Sequence, residues 1–245
     1  MLRWFSRNKS VELDPLSFSV LKTDIHSHLI PGIDDGSPDL ATTISLVQQM
    51  QKLGFSKLIT TPHIMSDFYK NTSQIILQGL ADVQAELKLR NIYMQIEASA
   101  EYYVDYDFEQ KIGREKFLTF NNNYILIELS FAERPRNLFD IIFKLQLEGY
   151  KVILAHPERY DYFQLKDYLD LVDRAVLFQI NLLSLIGYYS PRAQDKAEYL
   201  IAKNMVSFIG TDCHNMNHVE LYKKCQTKKA WHELYSSGKL LNSTL

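Results

Sequence analysis

The chain has 245 residues, 46% hydrophobic and 23% charged, with a formal net charge of −2. This is enough apolar content for one large core and excludes a disordered chain, while the faintly acidic balance offers no basic excess for a nucleic-acid partner. No run reaches the roughly eighteen apolar residues of a membrane span, and no apolar stretch precedes Glu12 and Asp14 as a secretory signal requires, so spanning and secretion are disfavoured.

Residues 1–20 read as an N-terminal extension, basic at Arg3, Arg7 and Lys9, with a short helix expected to lie against the body; 21–245 read as one domain. Seven short β-like runs follow, at 22–26, 57–61, 92–98, 124–130, 151–155, 176–181 and 205–211, with helical patterns between most of them. After the first, Ser37-Pro38 reads as an N-cap with proline at the first helical position. The stripe Leu40, Ile44, Val47, Met50 then predicts a helix ended by Gly54. Ile76, Leu80, Val83 and Leu87 predict a second helix near 72–90. Tyr124-Ile-Leu-Ile127 and Val152-Ile-Leu-Ala155 are continuous apolar runs, the pattern of strands buried on both faces of a parallel sheet. Between them Pro135 opens a helix with Leu138, Ile141, Ile142 and Leu145 inward and Gly149 at its end, and weaker helical patterns cover 164–174, 191–203 and 217–236. The alternation predicts an α/β fold, a distorted (β/α)7 TIM-like barrel, since seven strands instead of eight distort its closure.

Polar residues stand at or just past the strand ends: His26 and His28, His63, Glu101, Glu128, His156, Asp212 and His214. Asp35 follows in the glycine-flanked loop after the first strand. Two imidazoles one residue apart on a strand point the same way, and parallel barrels build their sites at the carboxyl ends of strands. These nine donors exceed the three protein ligands of a catalytic zinc, so two or three ions is the economical reading. Imidazole and carboxylate without a thiolate cluster favour manganese, iron or zinc over magnesium alone. Neighbouring metals can clamp an attacking and a leaving oxygen, the arrangement for phosphoester hydrolysis.

Other residues have plainer readings. Asp34 is the turn residue of its pair, and the lysines at 223, 224, 228 and 229 are a solvated helix face. Tyr102, Tyr103 and Tyr106 either wall an aromatic pocket or simply pack. Cys213 and Cys225 make no disulfide framework, which points to a reducing cytosol. The Cys-x5-Arg spacing of thiolate phosphatases lands on Val219 from Cys213 and on Trp231 from Cys225, so that mechanism is rejected.

As an ensemble, Asp24-Ile-His-Ser-His28, Gly32-Ile-Asp-Asp-Gly36, Thr61-Pro-His63, Ala100-Glu-Tyr-Tyr103, Ile127-Glu-Leu-Ser130, Ala155-His-Pro-Glu-Arg-Tyr160 and Thr211-Asp-Cys-His-Asn215 resemble the PHP (polymerase-and-histidinol-phosphatase) superfamily. Within it they resemble the metal-dependent protein-tyrosine phosphatases of bacterial capsule and exopolysaccharide clusters, the CpsB/CapC type. The resemblance implies the PHP fold and three divalent ions, manganese first with iron or zinc as alternatives. His26, His28 and Asp212 would hold one ion, with Glu101 bridging to a second completed by Glu128 and His156. Asp35, His63 and His214 would hold the third. A hydroxide generated at the metals would attack phosphorus while Arg159 neutralises the phosphate oxygens through its planar fork. The implied substrate is phosphotyrosine on a bacterial tyrosine autokinase that controls polysaccharide synthesis in the cytoplasm. Glutamate at 128, where many superfamily members carry histidine, favours the tyrosine-phosphatase branch. The sequence departs from the pattern where Ile64-Met65 follows His63 and Asn217-His218-Val219 follows the last cluster, positions basic in relatives; His218 would substitute in part. Two alternatives stand beside this reading: a PHP phosphatase for a small phosphomonoester such as histidinol phosphate, and a non-catalytic metal-binding regulator.

Overall fold

A computed structural model describes residues 13–121 and 123–245. Nine strand segments, all parallel to their neighbours, alternate with helices: β1 (Thr23–Asp24), β2 (Lys57–Thr60), β3 (His63–Ile64), β4 (Gln95–Ala98), β5 (Glu101–Tyr103), β6 (Tyr124–Glu128), β7 (Lys151–Ala155), β8 (Leu177–Asn181) and β9 (Val206–Gly210). They form one sheet in the order β1-β2-β4 and another in the order β3-β5-β6-β7-β8-β9. The second and third expected runs are each bent, at Thr61-Pro62 and at Ser99-Ala100, and pass from the first sheet to the second. Pro62 has no N–H to continue a ladder, which suits it to the bend. Each bent run counted once, the seven expected strands are present.

The first and last strands meet at a seam. Beyond their ends Ser27 and Cys213 form a parallel bridge, the Asp212 N–H donates to His26 O at 2.7 Å, and the His28 N–H donates to Cys213 O at 2.9 Å. Lower down, the fully buried Asn242 spans the gap with its amide. Nδ2 donates to Thr23 O at 3.0 Å and to Ile209 O at 2.8 Å, while Oδ1 accepts from the Ile209 N–H at 3.1 Å.

The helices are α1 (Leu40–Lys52), α2 (Ser73–Leu89), α3 (Tyr106–Lys111), α4 (Leu138–Leu147), α5 (Leu165–Val172), α6 (Pro191–Ala202), α7 (Met216–Cys225) and α8 (Lys229–Ser236). Three expectations shift. Asp39, not Ser37, caps α1, accepting from Thr42 N at 2.7 Å, because Ser37 is buried and accepts from the Thr43 hydroxyl instead. Pro135 sits three residues before α4 and contributes only its carbonyl, to Leu138 N. The single pattern over 217–236 divides into α7 and α8 where Lys228 turns extended. Residues 1–12 of the expected extension lie outside the described residues. Residues 13–21 run along α7 and α8: Leu16 O accepts from the Trp231 indole at 2.9 Å, and Phe18 packs on Phe55 and Trp231.

Two cores result. Outward-facing strand residues such as Ile125, Ile127, Val152, Leu154 and Ile180 meet the helices, while Ile25, Ile59, Leu126, Ile153 and Phe208 fill the interior below Ala155. Along each strand the inward series therefore climbs from apolar to polar: Leu126 to Glu128, Leu177 to Gln179 and Asn181, Phe208 to Gly210 and then Asp212. The floor is packed and dry, and the mouth holds the chemistry.

Asn242→Ala removes all three seam bonds and leaves buried backbone groups unpaired. The expected cost is about 3 kcal/mol, read as a fall of roughly 6–12 °C in Tm by calorimetry. An unchanged Tm would show that the seam does not need the amide.

Candidate metal centre

All nine expected donors converge on the mouth. His26 and His28 follow β1, His63 opens β3, Glu101 opens β5, Glu128 ends β6, His156 follows β7, and Asp212 and His214 follow β9. Asp35 reaches over from the loop before α1. Two donors bend the backbone to get there: His156 has φ 34° and Asp212 φ 53°, left-handed conformations that are strained for residues with a Cβ and that cluster at functional sites. Gly210 makes room for His26 and Gln179. A Cβ there would stand 2.7 Å from both His26 Cβ and Gln179 Nε2, so no larger residue fits between the two side chains.

The donor atoms face one another at close range. His26 Nε2 lies 3.3 Å from His28 Nε2, 3.1 Å from Glu101 Oε2 and 3.5 Å from Asp212 Oδ1, and His28 Nε2 lies 3.3 Å from Asp212 Oδ1. Glu101 turns its other oxygen to His156 Nε2 at 3.0 Å, and His156 Nε2 is 3.5 Å from Glu128 Oε1. His63 Nδ1 is 3.2 Å from Glu101 Oε2 and 3.7 Å from Glu128 Oε2, while its Nε2 and that of His214 lie 3.6 and 3.5 Å from Asp35 Oδ1. Four overlapping groups could each hold an ion: His28, Asp35, His63 and His214; His26, His28 and Glu101; His26, His156 and Asp212; and His63, Glu101 and Glu128. His63 thus faces the Glu101–Glu128 pair as well as Asp35, a sharing that the order of residues along the chain does not reveal.

Divalent ions fit this donor set. An ion about 2.1 Å from each donor holds neighbouring donors roughly 3.0–3.4 Å apart, close to the spacings of the tightest contacts. His63 Nδ1 is buried and has no hydrogen-bond partner, although Glu101 Oε2 lies 3.2 Å away, so it is a polar atom that an ion would satisfy. Charge argues the same way. Burial opposes ionisation of Glu101 and Asp212, but His26 with His63 for the first, and His26 with His214 for the second, hold both well below the usual carboxylate range. Burial, and then the ionised Glu101 beside it, push Glu128 well above that range. Cations at the centre remove this repulsion and let every carboxylate ionise.

A shell of residues that sequence reasoning missed orients the donors. Asp212 Oδ2 can only accept, so Asn181 Nδ2 donates to it at 2.7 Å. Asn181 Oδ1 then accepts from Gln179 Nε2 at 2.8 Å, and Gln179 Oε1 accepts from His26 Nδ1 at 2.7 Å. This relay fixes the His26 tautomer and leaves Nε2 bare toward the cluster. Asp34, read as a turn former, does cap the turn through Gly36 N at 3.0 Å, but its other oxygen accepts from His28 Nδ1 at 2.8 Å and from His63 N at 3.1 Å. His214 Nδ1 donates to Asp212 O at 2.9 Å, which again presents Nε2. The one available signal was Gln179 and Asn181, polar at alternate positions of an otherwise apolar strand.

The cavity over the donors, about 390 Å³, is lined also by Phe131, Arg159, Tyr188, Tyr189 and His218. Arg159 lies between the Phe131 ring at 4.6 Å and the Tyr189 ring at 4.2 Å, with its Nη1 3.3 Å from Asp212 Oδ2, rather than paired with Glu158 or Asp161. The aromatic wall does not come from the tyrosines after Glu101. Tyr102 is buried with its hydroxyl on Leu118, and neither Tyr103 nor Tyr106 reaches the cavity. Phe131, 46% exposed, takes that place. His218 bonds to the Tyr188 hydroxyl at 3.2 Å. Burial, and then His214, lower its pKa, so it supplies hydrogen bonding and no charge at neutral pH. Among the described residues Arg159 is the only permanent cation of the lining.

Known proteins share this architecture. The model of a family described as capsular polysaccharide synthesis, CpsB/CapC, matches residues 22–237. Tyrosine-protein phosphatase YwqE of Bacillus subtilis is 30% identical over 196 residues, 79% of this chain and 77% of its own length. A solved structure from work on YwqE of Bacillus subtilis and CpsB of Streptococcus pneumoniae, described as unique metal-dependent tyrosine phosphatases, superposes with TM-score 0.75 at 27% identity, covering 86% of this chain and 84% of that one. A histidinol phosphate phosphatase from Lactococcus lactis shares the fold alone, with TM-score 0.50 and 15% identity over 89% of this chain and 94% of that one. With its whole β/α ring inside the matched region, the chain belongs to the CpsB/CapC family.

Proposed function

We propose that the protein is a metal-dependent protein-tyrosine phosphatase, a phosphoric monoester hydrolase acting on phosphotyrosine in capsule or exopolysaccharide synthesis. The observation that carries the reading is the convergence of nine imidazole and carboxylate donors beside Arg159, in a chain of this family. His26, His28 and Asp212, then Glu101, Glu128 and His156, then Asp35, His63 and His214 would hold three divalent ions, manganese by preference. When bound, such ions polarise phosphate oxygens and make water a nucleophile at neutral pH.

The chain's own residues do the rest. Asp212 and the two flanking rings fix the plane of Arg159, so that it meets a phosphate oxygen without first losing freedom. Phe131 and Tyr188 offer aromatic faces at the mouth for the phenyl ring of the substrate, a feature a purely aliphatic phosphomonoester would not use. Burial pushes the Cys213 thiol up to about 12, which keeps it protonated and without a nucleophilic role. The substrate would be a phosphotyrosine-bearing protein, with a bacterial tyrosine autokinase as partner. A cytoplasmic setting agrees with two buried, unpaired cysteines and with the lack, among the described residues, of any helix long and apolar enough to cross a membrane.

Three outcomes test this. Hydrolysis of p-nitrophenyl phosphate and of a phosphotyrosine peptide should vanish in chelator and return with manganese, be lost in His26→Ala, and persist in Cys213→Ser. Full activity in protein shown to be metal-free would sink the reading. Arg159→Lys keeps the charge but not the planar fork, and should lower kcat/KM roughly 100-fold at unchanged metal content. The third concerns pH. Burial opposes the charge on His28, but Asp34 and Asp212 overcome it and raise the imidazolium pKa well above 6.5. A proton on Nε2 competes with a metal, so metal affinity rises as pH climbs through that raised value, with proton uptake by the buffer in calorimetry. The metal-free fold shows the opposite sign: the His28 contribution is complete below the unfolded pKa and is lost as pH rises through the folded one. Affinity independent of pH from 6 upward would remove His28 from the ligand set.

A further inference from the structure

A second cavity, about 600 Å³, opens beside the mouth. Ile186 and Leu221 form its apolar part and Lys223, Lys224 and Lys228 its charged part, while Tyr188 lines both this cavity and the one over the donors. The two spaces therefore border one tyrosine ring, whose hydroxyl is held by His218 Nε2 at 3.2 Å.

The lysines form the solvated face that their spacing suggests, but their partners differ. Lys229 is taken by Glu233 at 2.6 Å and points away, whereas among the described residues no carboxylate lies within 4.0 Å of Lys223, Lys224 or Lys228. The negative end of α7 favours Lys223 and Lys224, which stand in its last turn. It does not account for Lys228, which lies beyond the helix and also lines the cavity. Three lysines lining one space repel each other, and an anion among them lessens that repulsion. Their concentration is local, since the whole chain carries a formal charge of −2.

We propose that this cavity is a docking subsite for an acidic or phosphorylated side chain flanking the scissile phosphotyrosine of the protein substrate. The inference rests on the phosphatase reading above. Charge complementarity selects the anion, and the shared Tyr188 sets the cavity next to the mouth, within reach of the same peptide as the reacting phosphate. The apolar part, Ile186 and Leu221, receives the body of the flanking side chain. The subsite also supplies what the donor cavity lacks: with Arg159 as that cavity's single permanent cation, positive charge for the substrate is provided one step further out. Such rim charges act mainly on encounter and on KM, and are sensitive to salt.

The test compares wild type with Lys223→Gln/Lys224→Gln/Lys228→Gln. Substrates are a phosphotyrosine peptide with acidic flanks, the same peptide with neutral flanks, and p-nitrophenyl phosphate; binding of a non-hydrolysable phosphonate analogue of the acidic peptide is followed by fluorescence anisotropy. The triple variant should raise KM and the analogue's Kd for the acidic peptide about tenfold, leave kcat and p-nitrophenyl phosphate turnover unchanged, and flatten the salt dependence. Equal affinity of wild type for acidic and neutral peptides, or an undiminished acidic preference in the variant, overturns the proposal. Absence of p-nitrophenyl phosphate hydrolysis by the metal-loaded wild type overturns the phosphatase reading instead, and the anisotropy measurement still decides whether the lysines bind the peptide.

Discussion

The mutual repulsion of buried carboxylates is the constraint around which the molecule is arranged. Glu101, Glu128 and Asp212 are withdrawn from water at one end of a parallel ring and are tolerable there only beside positive charge. Five imidazoles from four strand ends and the guanidinium of Arg159 provide part of it, and the spacing of the donors leaves room for divalent cations to provide the rest. The dry interior beneath, from Ile25 to Phe208, gives the cluster a floor that keeps solvent on one side. The strained backbone at His156 and Asp212 is the local cost of aiming two donors inward from the ends of β7 and β9.

Precision comes from the layer behind the donors. The relay from Asp212 through Asn181 and Gln179 to His26 joins two donors by hydrogen bonds whose polarity is set at the carboxylate end. Asp212 also meets Arg159, so one of the nine converging side chains also positions the guanidinium of the cavity lining. Gly210 belongs to the same device, because the relay passes through the space a side chain would occupy. Disturbing any of these should therefore affect metal affinity and phosphate recognition together.

Much of this was legible along the chain because strand ends are local features. A histidine or carboxylate at or just past a strand end is placed by the two-residue period of the strand, and eight such residues reach the mouth, joined by Asp35 from the loop before α1. The turn role of Asp34 was also legible, but its bond to His28 was not, since a six-residue loop can close on itself in many ways. Phe131 sits in a loop without period or motif, and nothing local distinguishes it from the tyrosines after Glu101. Helix edges went astray for a similar reason. Ser37 is a good cap by type, yet burial against Thr43 engages its hydroxyl and passes the cap to Asp39.

The sequence by itself determined the alternation of strands and helices, the parallel order of the strands and which imidazoles and carboxylates stand at their ends, because each depends on spacing within a single element. Only the tertiary structure decided which donors share an ion-sized space, that two strands bend from one sheet into the other, that Asn242 laces the seam, and that Ile186 and Tyr188 line one cavity with the lysines of 223–228. Those outcomes depend on distances between residues far apart in the chain, and such distances exist only once the ring has closed and its core has packed.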